Sequence, residues 1–338
     1  MKKPCYSVGF DDFCQLAGQG NLVPVYREIL ADLETPVSAF SKINTGDTAF
    51  LFESIEGGEN WARYSFLGSS ATQVIWEERG KLVIKNGRKT TRIPLDDNPL
   101  THIQDMLAPF QPVHVPGLPR FVGGAVGYLG YDVVRHFEPI PHRSKDSENL
   151  PLLAFLLTDT LLIFDNVAHT IKVVANALIT SHAKSALKKT YTDATTRIEK
   201  IIAKLKKPLP RRSPVQRSQP IHFTSNMTQP DFEKMVRRTK EYIQAGDIVQ
   251  AVVSQRWQTK IRTTPLEIYR ALRVINPSPY MFYLRIAGVE LVGSSPEILV
   301  RCEDDKTSLV DSKVRLRWPN PTAKTSPTST TSDTGDLP

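Results

Sequence analysis

The stretch Asn276–Arg301, NPSPYMFYLRIAGVELVGSSPEILVR, carries the densest interpretable chemistry in the chain. Pro277 and Pro279 fix their own φ and restrict the residues before them, so the stretch opens on a preorganised turn. It then passes through an aromatic strand, turns at Ala287-Gly288, and closes on Ser294-Ser295-Pro296-Glu297. Tyr280 and Met281 follow the prolines directly. Read as residues alone, they serve either as core packing or as the wall of a pocket for a flat aromatic ligand, since thioether–ring contacts are favourable.

Upstream of this stretch, Thr264-Pro265 caps a helix running to about Ile275. Ile248–Trp257 (IVQAVVSQRW) reads as a strand with Ile248, Gln250, Val252 and Ser254 on one face. Before it, Thr228-Gln229-Pro230 opens a helix in which Phe232, Met235, Val236, Tyr242 and Ile243 recur with the helical period, and Gly246 stops it. Lys207–Gln219 (KPLPRRSPVQRSQ) has a linker composition, and a domain boundary is expected there.

The first 206 residues read as strands with a few helices. A short helix is expected over Phe10–Gly18, and Pro36 opens another through Ile43. Strands are expected over Asn21–Ile29, Thr48–Ser54, Ala62–Leu67, Gln73–Glu77 and Lys81–Lys85. The last leads into Asn86-Gly87, a strong hairpin signal. Asn98-Pro99 caps a helix to Leu107. The run LLAFLLTDTLLIF (Leu152–Phe164) reads as one strand buried on both faces or a bent one spanning two sheets; Thr170–Ala177 follows it as a further strand. Ser181–Leu205 is lysine-rich and helical in pattern.

The chain has 338 residues, a formal charge of +8 and a pI of about 9.3. Part of that charge is one local run, Lys204 to Arg217, which reads as a solvated linker. Nucleic-acid binding is not expected. The three cysteines lack metal-type spacing, and their odd number argues against a disulfide framework. No apolar run approaches the roughly 18 residues of a membrane helix, and the N-terminus lacks a signal-peptide core. A cytoplasmic protein without a membrane partner is expected.

Catalytic motifs are sparse. FVGGAVGYLGYD (Phe121–Asp132) fits neither phosphate-binding fingerprint, so its glycines read as sites of close backbone packing or of bends in a sheet. The seven histidines form no HxH or HExxH pair, and no GxSxG elbow anchors a nucleophile. Glu53-Ser54 stands out at the end of an apolar strand.

Taken together, LFESIEGGENWARYSFLG (Leu51–Gly68), FVGGAVGYLGYD, AGDIVQAVVSQRW (Ala245–Trp257), NPSPYMFYL (Asn276–Leu284) and GSSPEILVR (Gly293–Arg301) resemble the large subunit (component I) of anthranilate synthase, among the chorismate-utilising enzymes. The resemblance implies an α+β fold of two packed, mainly antiparallel sheets with peripheral helices. It implies a lyase that takes chorismate and ammonia to anthranilate and pyruvate, the first step of tryptophan biosynthesis. A glutaminase subunit would supply the ammonia, Mg2+ would hold the chorismate carboxylate, and tryptophan would inhibit by binding between the sheets. By the same resemblance the tryptophan contacts fall on Glu53, Ser54, Arg63, Pro279, Tyr280 and Met281, and a position near the substrate falls on Gln250. The implied divisions are 1–206 as the N-terminal region, 207–222 as a basic Pro-rich linker, 223–306 as the start of the chorismate-binding domain, and 307–338 as a disordered tail outside the family. The family's glycine–arginine loop, magnesium-binding glutamates and catalytic histidine have no counterpart here, so no metal ligand is assigned. The resemblance therefore also implies a truncated or out-of-frame chain, inactive alone and with unpaired strand edges. A non-catalytic fragment that binds tryptophan or the glutaminase, and component I of aminodeoxychorismate synthase, are the alternatives.

Overall fold

The computed structural model describes residues 5–55, 63–95, 98–141, 148–210, 221–296, 300–303 and 306–309. In chain order its elements begin with helix α1 (Phe10–Leu16), strand β1 (Leu22–Leu30), α2 (Pro36–Ile43), β2 (Ala49–Glu53) and β3 (Tyr64–Gly68). Next come β4 (Gln73–Glu78), β5 (Lys81–Asn86), β6 (Lys89–Pro94), α3 (Leu100–Leu107), β7 (Gly124–Leu129) and a 3-10 turn at Tyr131–His136. They are followed by β8 (Leu153–Thr158), β9 (Thr160–Asp165), β10 (Thr170–Leu178) and α4 (Lys184–Leu205). Beyond the linker lie β11 (Thr224–Ser225), α5 (Gln229–Ala245), β12 (Trp257–Gln258), α6 (Pro265–Ile275), β13 (Tyr280–Ile286), β14 (Val289–Ser295), β15 (Val300–Glu303) and β16 (Lys306–Leu309).

Two sheets carry the fold. One has seven strands in the order β1-β10-β9-β3-β2-β13-β14, the other five in the order β6-β5-β4-β8-β7, and every ladder in both is antiparallel. The expected two-sheet α+β architecture is what the structure has. Strands from both sides of the basic linker share the seven-stranded sheet, because β13 pairs with β2.

The apolar run Leu152–Phe164 resolves into the bent alternative. β8 belongs to the five-stranded sheet and β9 to the seven-stranded one, with Asp159 at the corner. Arg197 on α4 fastens that corner through Asp159 Oδ2 at 2.5 Å and the Asn176 carbonyl at 2.7 Å. Because strand side chains alternate, successive residues feed different layers. Phe50, Val126, Leu156, Leu161, Ile163, Leu284 and Ile286 pack between the sheets. Leu51, Leu67, Val173, Met281 and Tyr283 face α1, α2, α4 and α6 on the outer side. Met106 of α3 covers Ile75, Leu82 and Leu153 on the far face of the five-stranded sheet.

Local signals explain the element ends. Thr35 accepts from Ser38 N–H at the start of α2, and Thr264 does the same for Glu267 at α6. Gly246 closes α5 at φ 82°. The β13–β14 turn places both Ala287 (φ 51°) and Gly288 (φ 78°) in the left-handed region, as a two-residue hairpin turn requires. The glycine-rich segment packs closely, as its composition implies: a Cβ on Gly127 would overlap the Ala154 carbonyl of β8.

One strand expectation fails. Residues 248–256 form no ladder, and only Trp257–Gln258 pairs, with Thr224–Ser225. An extended segment needs a neighbour for its N–H and C=O groups, and no described strand lies beside this one. Two of its apolar side chains accordingly stay in solvent, Val249 at 95% and Val252 at 87% exposed. Nearby α5 buries none of its residues, although its apolar positions keep the helical period. At the other end, Lys306–Leu309 pairs with β15, so Thr307 to Leu309, the first three residues of the expected tail, lie in a strand. Residues 310–338 of that tail, 211–220 of the linker, Glu56–Asn60 and Glu297 lie outside the described residues.

Two substitutions test this packing. Gly127→Ala should lower the unfolding free energy by about 1–3 kcal/mol, the range for overpacking a filled interior, as read by urea denaturation. Ala287→Gly should raise it by about 1 kcal/mol, by relieving a left-handed residue that carries a Cβ.

Candidate functional site

Glu53, Ser54, Pro279, Tyr280 and Met281 come together where β2 meets β13. In that ladder Met281 stands opposite Glu53, Phe282 opposite Phe52 and Tyr283 opposite Leu51. The pairing runs on past the strand end, where Ile55 N–H donates to the Ser278 carbonyl at 3.2 Å. The Pro277–Pro279 turn is pinned from within. Buried Ser278 donates its hydroxyl to the Ser295 carbonyl and accepts the Tyr280 N–H at 3.1 Å. Ser294 Oγ donates to the Asn276 carbonyl at 2.8 Å, tying β14 to the end of α6.

Alternation divides the cluster between two faces of the sheet. Glu53, Ile55, Met281 and Tyr283 take the helix side, where Met281 and Tyr283 join the core under α2 and α6. Phe52 and Leu284 take the inter-sheet side, and the same alternation assigns Ser54, Tyr280 and Phe282 to it. Pro279 is half-buried at the turn leading into this edge. Alternation thus assigns to the inter-sheet side a hydroxyl just past the end of β2 and a phenol ring at the start of β13, a combination suited to a flat ligand with one polar end.

Glu53 is 4% exposed, and its carboxylate is held from α6. Tyr269 donates its phenol to Oε2 at 2.5 Å, and Arg273 Nη2 lies 3.3 Å from Oε1. Tyr269 and Arg273 are four residues apart on the helix, so they lie on one face and reach the same group. Burial pushes the Glu53 carboxyl above its ordinary value, against the pull of Tyr269 and Arg273. Burial also pushes the Tyr269 phenol up, and the adjacent Glu53 charge adds to it. Sequence reasoning missed Tyr269, Arg273 and Ser278. The available signal was a tyrosine and an arginine at helical spacing just ahead of the proline turn.

Arg63 is engaged elsewhere on this sheet. Its guanidinium donates to buried Asp165 from Nη2 at 2.8 Å and from Nε at 3.1 Å. Asp165 also accepts the Val167 and Ala168 N–H groups. Burial works to raise the Asp165 carboxyl, but Arg63 and these backbone donors together hold it below its ordinary value. Gln250 is exposed in the unpaired segment, outside the sheet whose strands hold Glu53, Tyr280 and Met281 and are flanked by Ser54, Arg63 and Pro279. Among the described residues no three His, Cys, Asp or Glu side chains gather into a metal-binding group, and no Mg2+ ligand is assigned. Surface concavities of about 400 and 440 Å3, beside Tyr6 and Glu199 and beside Cys14 and His182, include none of the seven residues.

The Glu53 environment has a pH consequence. A carboxyl whose folded pKa is raised stabilises the fold below its unfolded value, about 4.3, and that contribution is lost as pH rises through the folded value. Glu53→Gln should therefore gain stability relative to the parent chain as pH climbs through this window, and the difference should level off above it. Urea denaturation at a series of pH values measures it.

Comparison with known proteins shows the family. Residues 48–310 match the family model described as chorismate binding enzyme. The chain is 38% identical over 303 residues to anthranilate synthase component 1 of Acetivibrio thermocellus, covering 87% of this chain and 60% of that protein. It is 38% identical over 335 residues to the Synechocystis protein of the same name, covering 95% and 65%. The crystal structure of anthranilate synthase component I from Streptococcus pneumoniae superposes with a TM-score of 0.58 at 27% identity, over 82% of this chain and 59% of that one. The chain thus spans about 60% of the length of these relatives. With a matched segment that takes in β2, β13 and the turn between α6 and β13, the chain belongs to the chorismate binding enzyme family.

Proposed function

We propose that this chain belongs by descent to the large subunit of anthranilate synthase and that it carries the tryptophan-binding part of that subunit. What supports this reading is the β2–β13 register, whose alternation assigns Ser54, one residue past β2, and Tyr280, at the start of β13, to the inter-sheet side, with Pro279 at the turn beside them. An indole ring is flat and apolar and stacks well on a phenol ring. The amino-acid head group is polar and needs partners at the strand ends, which Ser54 supplies through its hydroxyl. Met281 backs this wall from the helix side, where it is 1% exposed. Arg63, through its bond to Asp165, holds the start of β3 beside the site.

The catalytic part of the reading is narrower. The parent reaction would convert chorismate and ammonia to anthranilate and pyruvate, with a glutaminase as the ammonia source. The name component 1 borne by the relatives supports a second, partner component. The described residues gather no group of three potential metal ligands, and no chemical step is assigned to them. The reading is accordingly of a chain that binds the effector and does not make anthranilate by itself.

Calorimetry with L-tryptophan tests the binding part. The parent chain should release or absorb heat with a saturable profile. Ser54→Ala should weaken binding about tenfold, the equivalent of one hydrogen bond worth about 1.4 kcal/mol. No saturable heat from the parent chain would sink the reading. Anthranilate fluorescence above background, from the purified chain with chorismate, ammonia and Mg2+, would overturn the claim that it is inactive alone.

A further inference from the structure

The resemblance puts Glu53 among the direct contacts of the effector, yet its carboxylate stands on the helix side of the sheet, away from Ser54 and Tyr280. Both carboxylate oxygens are already engaged, Oε2 by Tyr269 and Oε1 by Arg273. The group is 4% exposed and is held from α6, on the face of the sheet away from Ser54 and Tyr280. We propose that Glu53 is a positioning residue, anchored by Tyr269 and Arg273 of α6, that fixes the β2–β13 register and so keeps Ser54 and Tyr280 together on the inter-sheet face. The proposal rests on the tryptophan pocket described above.

Three observations support it. First, Glu53 and Met281 form the ladder pair at the site end of the strands, and Ser54 and Tyr280 are the next residues along. A slip of one residue in β13 would turn Tyr280 to the helix side while β2, paired on its other edge with β3, kept Ser54 where it is, so whatever locks β13 against Glu53 locks the pocket. Second, the anchors come from the helix that feeds the pocket wall. α6 ends at Ile275, and the next four residues are the Asn276–Pro279 turn. Third, α6 has a second grip on β13, since Tyr269 packs edge-on against Tyr283 at 6.4 Å, and Phe40 of α2 meets the same ring at 5.2 Å. The carboxylate and the aromatic contact together leave β13 one seat under the helix.

A pair of ligands separates positioning from direct contact. L-Tryptophan and indole-3-propionate share the ring and the carboxylate, but only tryptophan carries the α-ammonium. Affinities for both are measured by calorimetry on the parent chain, Tyr269→Phe, Glu53→Ala, Glu53→Gln and the Tyr269→Phe/Glu53→Ala double variant. Circular dichroism melts confirm that each is folded. Tyr269→Phe and Glu53→Ala should weaken both ligands by the same factor, about tenfold. The double variant should be no weaker than Glu53→Ala alone, since the two act through one contact. Glu53→Gln, which keeps an acceptor for the phenol, should recover most of the affinity. Loss of tryptophan binding with indole-3-propionate spared in Glu53→Ala would make Glu53 an ammonium ligand and overturn the proposal. So would unchanged affinities in Tyr269→Phe, the mildest variant, should Glu53→Ala fail to fold. A parent chain that holds tryptophan but not indole-3-propionate leaves Tyr269→Phe to decide. A parent chain that binds neither removes the pocket itself, a failure distinct from that of the positioning role.

Discussion

The antiparallel ladder between β2 and β13 is the contact through which the two portions of the chain become one structure. The strands on the first side of the linker already make a continuous block, β1-β10-β9-β3-β2, covered on its outer face by α2 and α4. Without β13 that block ends on β2, whose apolar residues Phe50, Leu51 and Phe52 would face solvent along one edge with a row of unpaired backbone groups. β13 covers that edge, and its own alternation then feeds both layers. Met281 and Tyr283 complete the core under the helices, while Leu284 and Ile286 complete the space between the sheets.

Electrostatics sharpen the same contact. A carboxylate buried at a strand end is unfavourable unless its oxygens are bonded and its charge is answered. At Glu53 the tyrosine supplies the bond and the arginine the charge, both from one helix face. Asp165 two strands away solves the same problem differently, by accepting Arg63 together with two backbone N–H groups of the β9–β10 turn. The two carboxyls are pushed in opposite directions because Asp165 has enough donors to overcome its burial and Glu53 does not.

Much of the scaffold was legible in the residues, for reasons that are local. Thr35-Pro36, Thr264-Pro265 and Gly246 set helix ends with chemistry that acts within a few residues. Asn86-Gly87 fixed a hairpin by turn geometry. Strand existence was readable for the same reason, as in Gln73–Glu78. The bend at Asp159 was readable only as one of two options, because a doubly buried run and a corner look alike until Arg197 is brought in from a distant helix. Ile248–Trp257 was misread because alternation states what a segment would bury, not whether a neighbour is present to pair with it. At the site, the positions of Ser54, Met281 and Tyr280 were visible as residues, but the division into faces was not. It depends on the register of β2 against β13, which joins stretches far apart in sequence. Tyr269 and Arg273 escaped notice for the same reason.

The distance along the chain between Glu53 and its anchor sets an order of events during synthesis. Tyr269 follows Glu53 by 216 residues. At about 5–20 residues per second, roughly 10–40 s pass between the appearance of β2 and the appearance of the group that binds its terminal carboxylate. Throughout that interval Glu53 has no reason to enter the interior, and the open edge of β2 is accessible to any other extended chain nearby. The nascent protein is therefore most open to mispairing in a defined window that begins when β2 emerges and ends when α6 and β13 leave the ribosome together. A chaperone that shields a single strand edge for that window would protect the whole seven-stranded sheet.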